Sequence, residues 1–263
     1  CVPSKTLLQA AKTYHHAKHG SIFGVEAGSL SFDFGKAHAH KNSVMDRMRD
    51  GIAGLMKKHK VEVIEGEATL VKGGFSVNEE THEAENILLC TGSSPTIPPI
   101  PGIEAEHIVD STGILNNETL PENLVIVGGG VIGCEFACVY ASVGVPVTVL
   151  EAMPEICPNL DSEISAILRK ELEKKGVTFV LGAKVENFEG KSVRYNLEGE
   201  GKDMNADLVL IATGRRPNVS DLGLEDLGLD FDPRGGVKVD QRGATNLPGV
   251  WAAGDVTGQA WLA

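Results

Sequence analysis

Apolar residues change their period several times along the chain, and each change marks an element. From Ser4, a residue able to cap, Leu7, Leu8 and Ala11 fall on one face and predict a helix to about Gly20. Between Asp33 and His59 the positions Val44, Met48, Ile52, Leu55 and Met56 recur at steps of three and four, predicting a second helix. After Lys60 the period falls to two. Val61-Glu62-Val63 predicts a strand, and Gly66 and Gly73-Gly74 supply the turns of a β-meander. Ile87-Leu88-Leu89 predicts a short buried strand, and the proline-rich stretch from Pro95 to Pro101 a connecting crossover.

A new unit begins near Asp110. Leu124-Val125-Ile126-Val127 is apolar throughout, as a parallel strand covered on both faces requires. It runs into Gly128-Gly129-Gly130-Val131-Ile132-Gly133, a helical stretch ending at Gly144, and a strand from Val147 to Leu150. Asp161 can cap a further helix, with Ile164, Ile167, Leu168 and Leu172 expected as its buried stripe. Strands at Val177–Leu181 and Leu208–Ala212 enclose a second meander.

The chain also repeats itself. Leu55-Met56-Lys57-Lys58-His59-Lys60-Val61 resembles Leu172-Glu173-Lys174-Lys175-Gly176-Val177, and the block Glu85 to Pro95 resembles Asp207 to Pro217. Helix, strand, meander, acidic residue, strand and Thr-Gly follow in the same order both times; two copies are too few for a solenoid. Only the second copy opens on a glycine turn, and the matching turn of the first would fall before residue 1. The pattern therefore predicts an α/β chain with two Rossmann-like dinucleotide-binding domains, each a parallel sheet plus a β-meander. Residues 1–109 are expected to form part of one domain that lacks its first βαβ unit, 110–231 the second, and 232–263 a return to the first.

Composition narrows the function. The chain has 263 residues and a net charge of −12, with no Lys/Arg cluster, which argues against nucleic acid and anionic membrane as partners. No apolar run approaches the ~18 residues of a membrane helix, and no signal peptide opens the chain. Five cysteines, Cys1, Cys90, Cys134, Cys138 and Cys157, form no even framework, which points to a reducing compartment: cytoplasm, or an organelle matrix or stroma. A start at Cys1 and a close on Trp261-Leu262-Ala263 read as a piece cut at both ends.

Gly128, Gly130 and Gly133 match G-x-G-x-x-G: a tight turn, a close backbone approach for a pyrophosphate, and close helix–strand packing. The unpaired amides of the helix start suit phosphates. Glu151 ends the next strand at the spacing expected of a carboxylate that binds ribose hydroxyls and repels a 2′-phosphate, so NAD is favoured over NADP. Cys1 precedes a helix start, where the dipole and Lys5 favour a thiolate; the alternative is a buried inert cysteine. Cys134 and Cys138, four apart, read as small core residues rather than metal ligands, and His15 and His19 as a solvated face rather than a zinc site. Glu135, one helical turn on, reads as a surface or pocket-rim carboxylate. Gly254-Asp255 after a short apolar strand suits either a second dinucleotide or an ordinary turn.

Together, Cys1-Val2-Pro3-Ser4-Lys5, the glycine turn with Glu151, the two Thr-Gly blocks and Trp251 to Asp255 resemble the two-dinucleotide-domain flavoprotein disulfide reductases. Leu7-Leu8, Tyr14-His15, Ser111-Thr112-Gly113, Gly214-Arg215-Arg216-Pro217 and Leu222-Gly223-Leu224 suit the dihydrolipoamide dehydrogenase subgroup, and mercuric reductase shares the first motif. The resemblance implies FAD on one copy, NAD on the other, and electrons passing from protein-bound dihydrolipoamide through a cysteine pair and flavin to NAD. It implies that Cys1 is the flavin-proximal cysteine, that Lys5 lies near the flavin, and that Glu135 pairs with Lys5. It further implies that Asp255 with Gly254, and Thr91, Gly92, Gly214 and Arg215, contact cofactor. Implied partners are a lipoyl carrier domain of a 2-oxoacid dehydrogenase or glycine cleavage complex, and a second copy in a homodimer.

The family's interchange cysteine, five residues before Cys1, its first glycine turn, and its His-to-Glu pair at a spacing of five have no counterpart here. This stretch alone is therefore expected not to turn over lipoamide, and a non-catalytic FAD/NAD-binding module stands as the alternative from another class.

Overall fold

A computed structural model describes residues 1–259 and 261; the closing Leu262-Ala263 lies outside the described residues. Helix α1 (Val2–Lys18) starts directly after Cys1, which takes the N-cap position instead of Ser4. Pro3 explains the early start, since its fixed φ suits the first turn and its missing N–H would be unpaired there. Helix α2 (Phe34–Lys58) follows Asp33, whose Oδ1 accepts the Lys36 N–H at 2.9 Å. Its apolar stripe is not its buried face: Phe34, His38 and Lys41 are buried, while Met48, Ile52 and Leu55 are about half exposed.

The predicted strand at Val61–Val63 does not form. Both valines are exposed, no strand among the described residues pairs with the segment, and the Val61 N–H donates back to Met56 O at 2.9 Å. A strand needs a neighbour for its amides and carbonyls, and alternation alone does not supply one. The first meander does form, as β1 (Ala68–Val71), β2 (Gly74–Val77) and β3 (Glu80–Glu83), antiparallel throughout. Then come β4 (Ile87–Leu89), β5 (Ser93–Pro95), β6 (Ile108–Val109) and the short helix α3 (Gly113–Asn116).

The second copy contributes β7 (Leu124–Val127), α4 (Val131–Ser142), β8 (Val147–Glu151), α5 (Ser162–Lys174) and β9 (Val177–Leu181). Its meander is β10 (Lys184–Glu189), β11 (Ser192–Leu197) and β12 (Glu200–Asn205), followed by β13 (Leu208–Ile211). Four short strands close the order: β14 (Arg215–Pro217), β15 (Phe231–Asp232), β16 (Gly236–Val237) and β17 (Val250–Ala252).

Packing divides the chain into two compact units, 1–49 with 97–214, and 50–96 with 215–263. The sequence boundaries at 109/110 and 231/232 follow the order of motifs; these follow which stretches of backbone lie close in space. In the first unit, β6-β13-β7-β8-β9 form a parallel sheet. Alternation sends Leu124, Ile126, Val149 and Leu210 into a core with Leu7 and Ala11 of α1 and Phe136, Ala137 and Tyr140 of α4. The opposite face, with Val125, Val127, Leu150 and Val209, packs on Val185, Phe188, Val193 and Tyr195 of the second meander. Both faces are covered, which is why β7 tolerates no polar residue. Truncating Leu7, at 2% exposure, would leave a cavity costing about 2–5 kcal/mol.

Asp161 caps α5 as expected, its side chain accepting the Glu163 N–H at 2.9 Å. The expected stripe is shifted, however. Ser165 and Leu172 are buried and Leu168 is partly so, while Ile164 and Ile167 are exposed. In the second unit, β4 pairs parallel with β17, and Leu70, Leu89, Leu224, Val250 and Val256 share its core. Leu88 is 61% exposed, so β4 is buried on one face only. There the ends of the two repeated blocks meet: β5 and β14 pair antiparallel, with Arg215 opposite Pro95 and Pro217 opposite Ser93.

Candidate dinucleotide site and redox group

The glycine turn joins β7 to α4 and is anchored where it leaves the sheet: the Gly128 N–H donates to Leu150 O at 2.9 Å, and the Ala212 N–H donates to Val127 O at 2.8 Å. Gly128 sits at φ +110°, where a side chain would be strained, and a Cβ there would lie 2.5 Å from Ala212 O. A Cβ on Gly133 would meet the Gly128 carbonyl oxygen at 2.1 Å. Gly130 differs: it is the N-cap of α4, at φ −72°, and a Cβ there meets nothing within 4 Å. Two glycines thus serve the protein's own packing, and the third keeps a space clear at a helix mouth. The Cys134 N–H donates to Gly130 O at 2.9 Å, so the N–H groups of residues 131–133 precede the first helical donor and have no acceptor within the helix. With the helix dipole they favour an anionic diphosphate there. The residues present therefore fit a dinucleotide.

Glu151, at the end of β8, is 8% exposed. Its Oε2 accepts the Gly129 N–H at 2.5 Å and its Oε1 accepts the Met153 N–H at 2.7 Å. The carboxylate expected to grip a ribose is therefore also a strut of the turn. A carboxylate has about four acceptor positions, so these two bonds leave capacity for sugar hydroxyls.

Packing of α1 on α4 through Leu7 and Ala11 brings together residues 130 apart in sequence: the Lys5 ammonium donates to Glu135 Oε1. Cys1, exposed, begins the same helix. It lines, with Lys5, Thr6, Tyr14, Phe32 and Val44, a cleft of about 780 Å³ along α1.

In the second unit, Gly254 has φ +78° with open space beside it and leads a 3₁₀ turn, Gly254–Thr257. Asp255 Oδ2 accepts the Ser93 hydroxyl at 2.5 Å and lies 4.0 Å from Arg215 Nε. Arg215 also donates to Ser93 Oγ at 2.7 Å and to Ser93 O at 2.6 Å. Thr91 donates to Asn218 O at 2.8 Å, and Gly92 sits at φ +72°. The open glycine and the half-exposed carboxylate fit a polyhydroxylated ligand. Gly214, at φ +113°, closes the first unit.

Cys138 is partly buried, while the His15 and His19 rings lie 4.3 Å apart, centroid to centroid, tilted by 38°. Burial, with Lys175 next, lowers the His15 pKa. Three groupings escaped the sequence. Ser93 joins Arg215 and Asp255 because the repeated blocks pair with each other. Lys41 is buried with its ammonium on Leu115 O and 3.0 Å from His38 Nε2. Cys157 lies 4.0 Å, sulfur to sulfur, from Cys134. Each depends on a distant element: β14 and the 3₁₀ turn for Ser93, Leu115 for the His38–Lys41 pair, and the loop after β8 for Cys134.

The pyridine nucleotide-disulphide oxidoreductase family matches residues 1–263. The chain belongs to this family. Among pyridine nucleotide-disulphide oxidoreductases it is 38% identical to the dihydrolipoyl dehydrogenase of Geobacillus stearothermophilus over 266 residues, covering 97% of this chain and 56% of that protein. It is 38% identical over 269 residues to the dihydrolipoyl dehydrogenase of Acholeplasma laidlawii, covering 100% of this chain and 79% of that one. Among solved structures, LpdA of Mycobacterium tuberculosis superposes with a TM-score of 0.87 at 27% identity, covering 100% of this chain and 59% of that one. The HOCl-induced flavoprotein disulfide reductase RclA of Escherichia coli gives a TM-score of 0.83 at 32% identity, covering 100% and 57%. The chain thus spans a little over half the length of several of these relatives. Among the described residues, no helix is long and apolar enough to cross a membrane.

Proposed function

We propose that this chain is the coenzyme-binding and thiol-bearing part of an NAD-linked, FAD-dependent dihydrolipoyl dehydrogenase. The observation that carries this reading is the glycine turn, with clear space at Gly130 beside the buried carboxylate of Glu151. Residues 110–231 would bind NAD, the turn receiving the diphosphate and Glu151 the adenine ribose. Residues 1–109 and 232–263 would belong with FAD, for which Thr91, Gly92, Gly254 and Asp255 are the proposed contacts; Gly214 and Arg215 are further proposed cofactor contacts. Bound FAD supplies two-electron transfer between a thiol and a nicotinamide.

Within the first unit, Cys1 at the N-cap would hold a developing thiolate against the helix dipole and the first-turn amides. Glu135 orients the Lys5 ammonium, a fixed positive charge on the same turn as that thiol. The proposed electron donor is dihydrolipoamide on a carrier domain of a 2-oxoacid dehydrogenase or glycine cleavage complex, and the proposed assembly is a homodimer. A second reading, a flavoprotein disulfide reductase with another substrate, draws support from the likeness to RclA. Oxidation of dihydrolipoamide with NAD, set against NADH-driven reduction of other disulfides, by the enzyme containing this chain separates the two.

Titration of the chain with NADH and NADPH tests the core of the reading. NADH is expected to bind more tightly, and Glu151→Arg to reverse the order. Equal affinities before and after that substitution overturn the ribose assignment.

A further inference from the structure

Behind the glycine turn lies a pair of cysteines that the proposed reaction does not use. Cys134 occupies the first turn of α4, and Cys157 the loop after β8; their exposures are 5% and 4%. Their sulfurs are 4.0 Å apart. Both converge on one atom, the Gly129 carbonyl oxygen, with Cys134 Sγ at 3.4 Å and Cys157 Sγ at 3.7 Å. The Cys157 N–H donates to the same oxygen at 2.9 Å. A carbonyl oxygen offers two lone pairs, so three donors cannot all bond it at once, and one thiol is left to its fellow sulfur.

Cys157 is pinned. Its φ is +46°, a backbone conformation that L residues seldom adopt. Its carbonyl accepts the Leu160 N–H at 2.9 Å and the Ser165 hydroxyl at 3.3 Å. Gly129 is held equally firmly on its other side by Glu151. The middle residue of the diphosphate-binding turn therefore hangs between a carboxylate and two thiols.

We propose that Cys134 and Cys157 form a reversible redox-modification site, and that closing their disulfide removes the thiol hydrogen bond to Gly129 and weakens coenzyme binding. The second half of this inference rests on the coenzyme reading of the turn; the first does not. The co-reactant is a hydroperoxide. Cys157 sulfur attacks one peroxide oxygen: an S–O bond forms, the O–O bond breaks, and the alkoxide departs with the thiol proton as an alcohol. Cys134 sulfur then attacks Cys157 sulfur: the S–S bond forms, the S–O bond breaks, and hydroxide departs with the Cys134 proton as water. Two thiols lose two electrons, and the hydroperoxide gains them. Burial pushes both thiols upward, Cys134 far more, and a hydrogen bond from Cys134 partly offsets the rise at Cys157. That order makes Cys157 the first to react, and it makes the reaction slow, since the thiolate is the nucleophile. A disulfide needs its sulfurs about 2.0 Å apart, so the pair must close by about 2 Å. The Cys157 backbone is pinned, so whatever part of that closure side-chain rotation does not supply falls on the first turn of α4, which carries Gly130.

The test uses the reduced chain, treated with tert-butyl hydroperoxide. Intact mass should fall by two hydrogens. Cleavage after Glu135, Glu151 and Glu155, which separates the two cysteines, should recover a Cys134–Cys157 cross-link. The NADH dissociation constant should rise about tenfold, the scale of one lost hydrogen bond, and return with dithiothreitol. Cys157→Ser and Cys134→Ala, tested separately, should each keep their own NADH affinity through the same treatment. A cross-link between other cysteines, no cross-link, or a Cys134–Cys157 cross-link with unchanged affinity overturns the proposal. If the untreated chain binds no NADH, the coenzyme reading fails with the regulatory half, and the mass shift still decides whether the thiol pair closes.

Discussion

Gly130→Ala is the substitution that separates the protein's own needs from its ligand's. At Gly130 a new methyl meets nothing within 4 Å, and φ is −72°, so the folded chain can accept it. The expected cost to folding is confined to the N-cap, where Ala is poorer than Gly, and is below about 1 kcal/mol. For a two-unit chain of this size that is a melting shift of about 2–4 °C or less. The methyl instead fills the space where a diphosphate would approach the amides of residues 131–133. Losing one or two charge-assisted hydrogen bonds costs about 1.5–3 kcal/mol each, so NADH affinity should fall by a factor of about 10 to 100 or more. Gly133→Ala is the contrasting variant. Its methyl would sit 2.1 Å from the Gly128 carbonyl oxygen, backbone that cannot step aside. Overpacking of that kind costs about 1–3 kcal/mol or more, so both stability and binding should fall. Scanning fluorimetry gives the stability and titration calorimetry the affinity. Wild-type NADH affinity in Gly130→Ala, or wild-type stability in Gly133→Ala, would refute the division of labour among the glycines.

Two further predictions concern charge. The Arg169 guanidinium, followed by the Ile156 N–H, holds the Glu155 carboxyl below its ordinary 4.5. A depressed carboxyl stabilises the fold above its unfolded pKa and loses that contribution as pH falls through the folded one. Stability should therefore drop below about pH 4.5, and Glu155→Gln should flatten this limb by ~0.5–1 kcal/mol in urea titrations at pH 3 to 7. Equal acid limbs in both proteins would count against the bridge. Burial lowers the Lys41 ammonium from its ordinary 10.5, so folding disfavours the charge, and stability should rise as pH climbs from the lowered value toward 10.5. Lys41→Met should remove that rise and increase the melting temperature at pH 7, since His38 Nε2, 3.2 Å from Leu115 O, can donate there instead. A lower melting temperature for Lys41→Met would mean that the ammonium's hydrogen bonds outweigh its desolvation.

Whatever depends on neighbours along the chain was legible in the order of the residues. The all-apolar run Leu124–Val127 could be only a strand covered on both faces, and Gly128 to Gly133 could be only a turn that brings backbone close to backbone or ligand. The cap at Asp161 and both meanders were equally legible, because caps and turns are settled within a few residues. Where pattern misled, the deciding fact was a partner. Val61–Val63 alternates correctly and has no strand beside it. The stripes Met48–Ile52–Leu55 and Ile164–Ile167 have helical spacing and face solvent, since periodicity fixes which residues share a face and not which face is covered. The groupings that carry chemistry came instead from long-range packing. Lys5 meets Glu135 because α1 packs on α4. Ser93 meets Arg215 and Asp255 because the repeated blocks pair with each other. Cys134 meets Cys157 because the loop after β8 folds back under the turn. Each joins residues tens to more than a hundred positions apart, and contact at that range is set by packing, which no local pattern records.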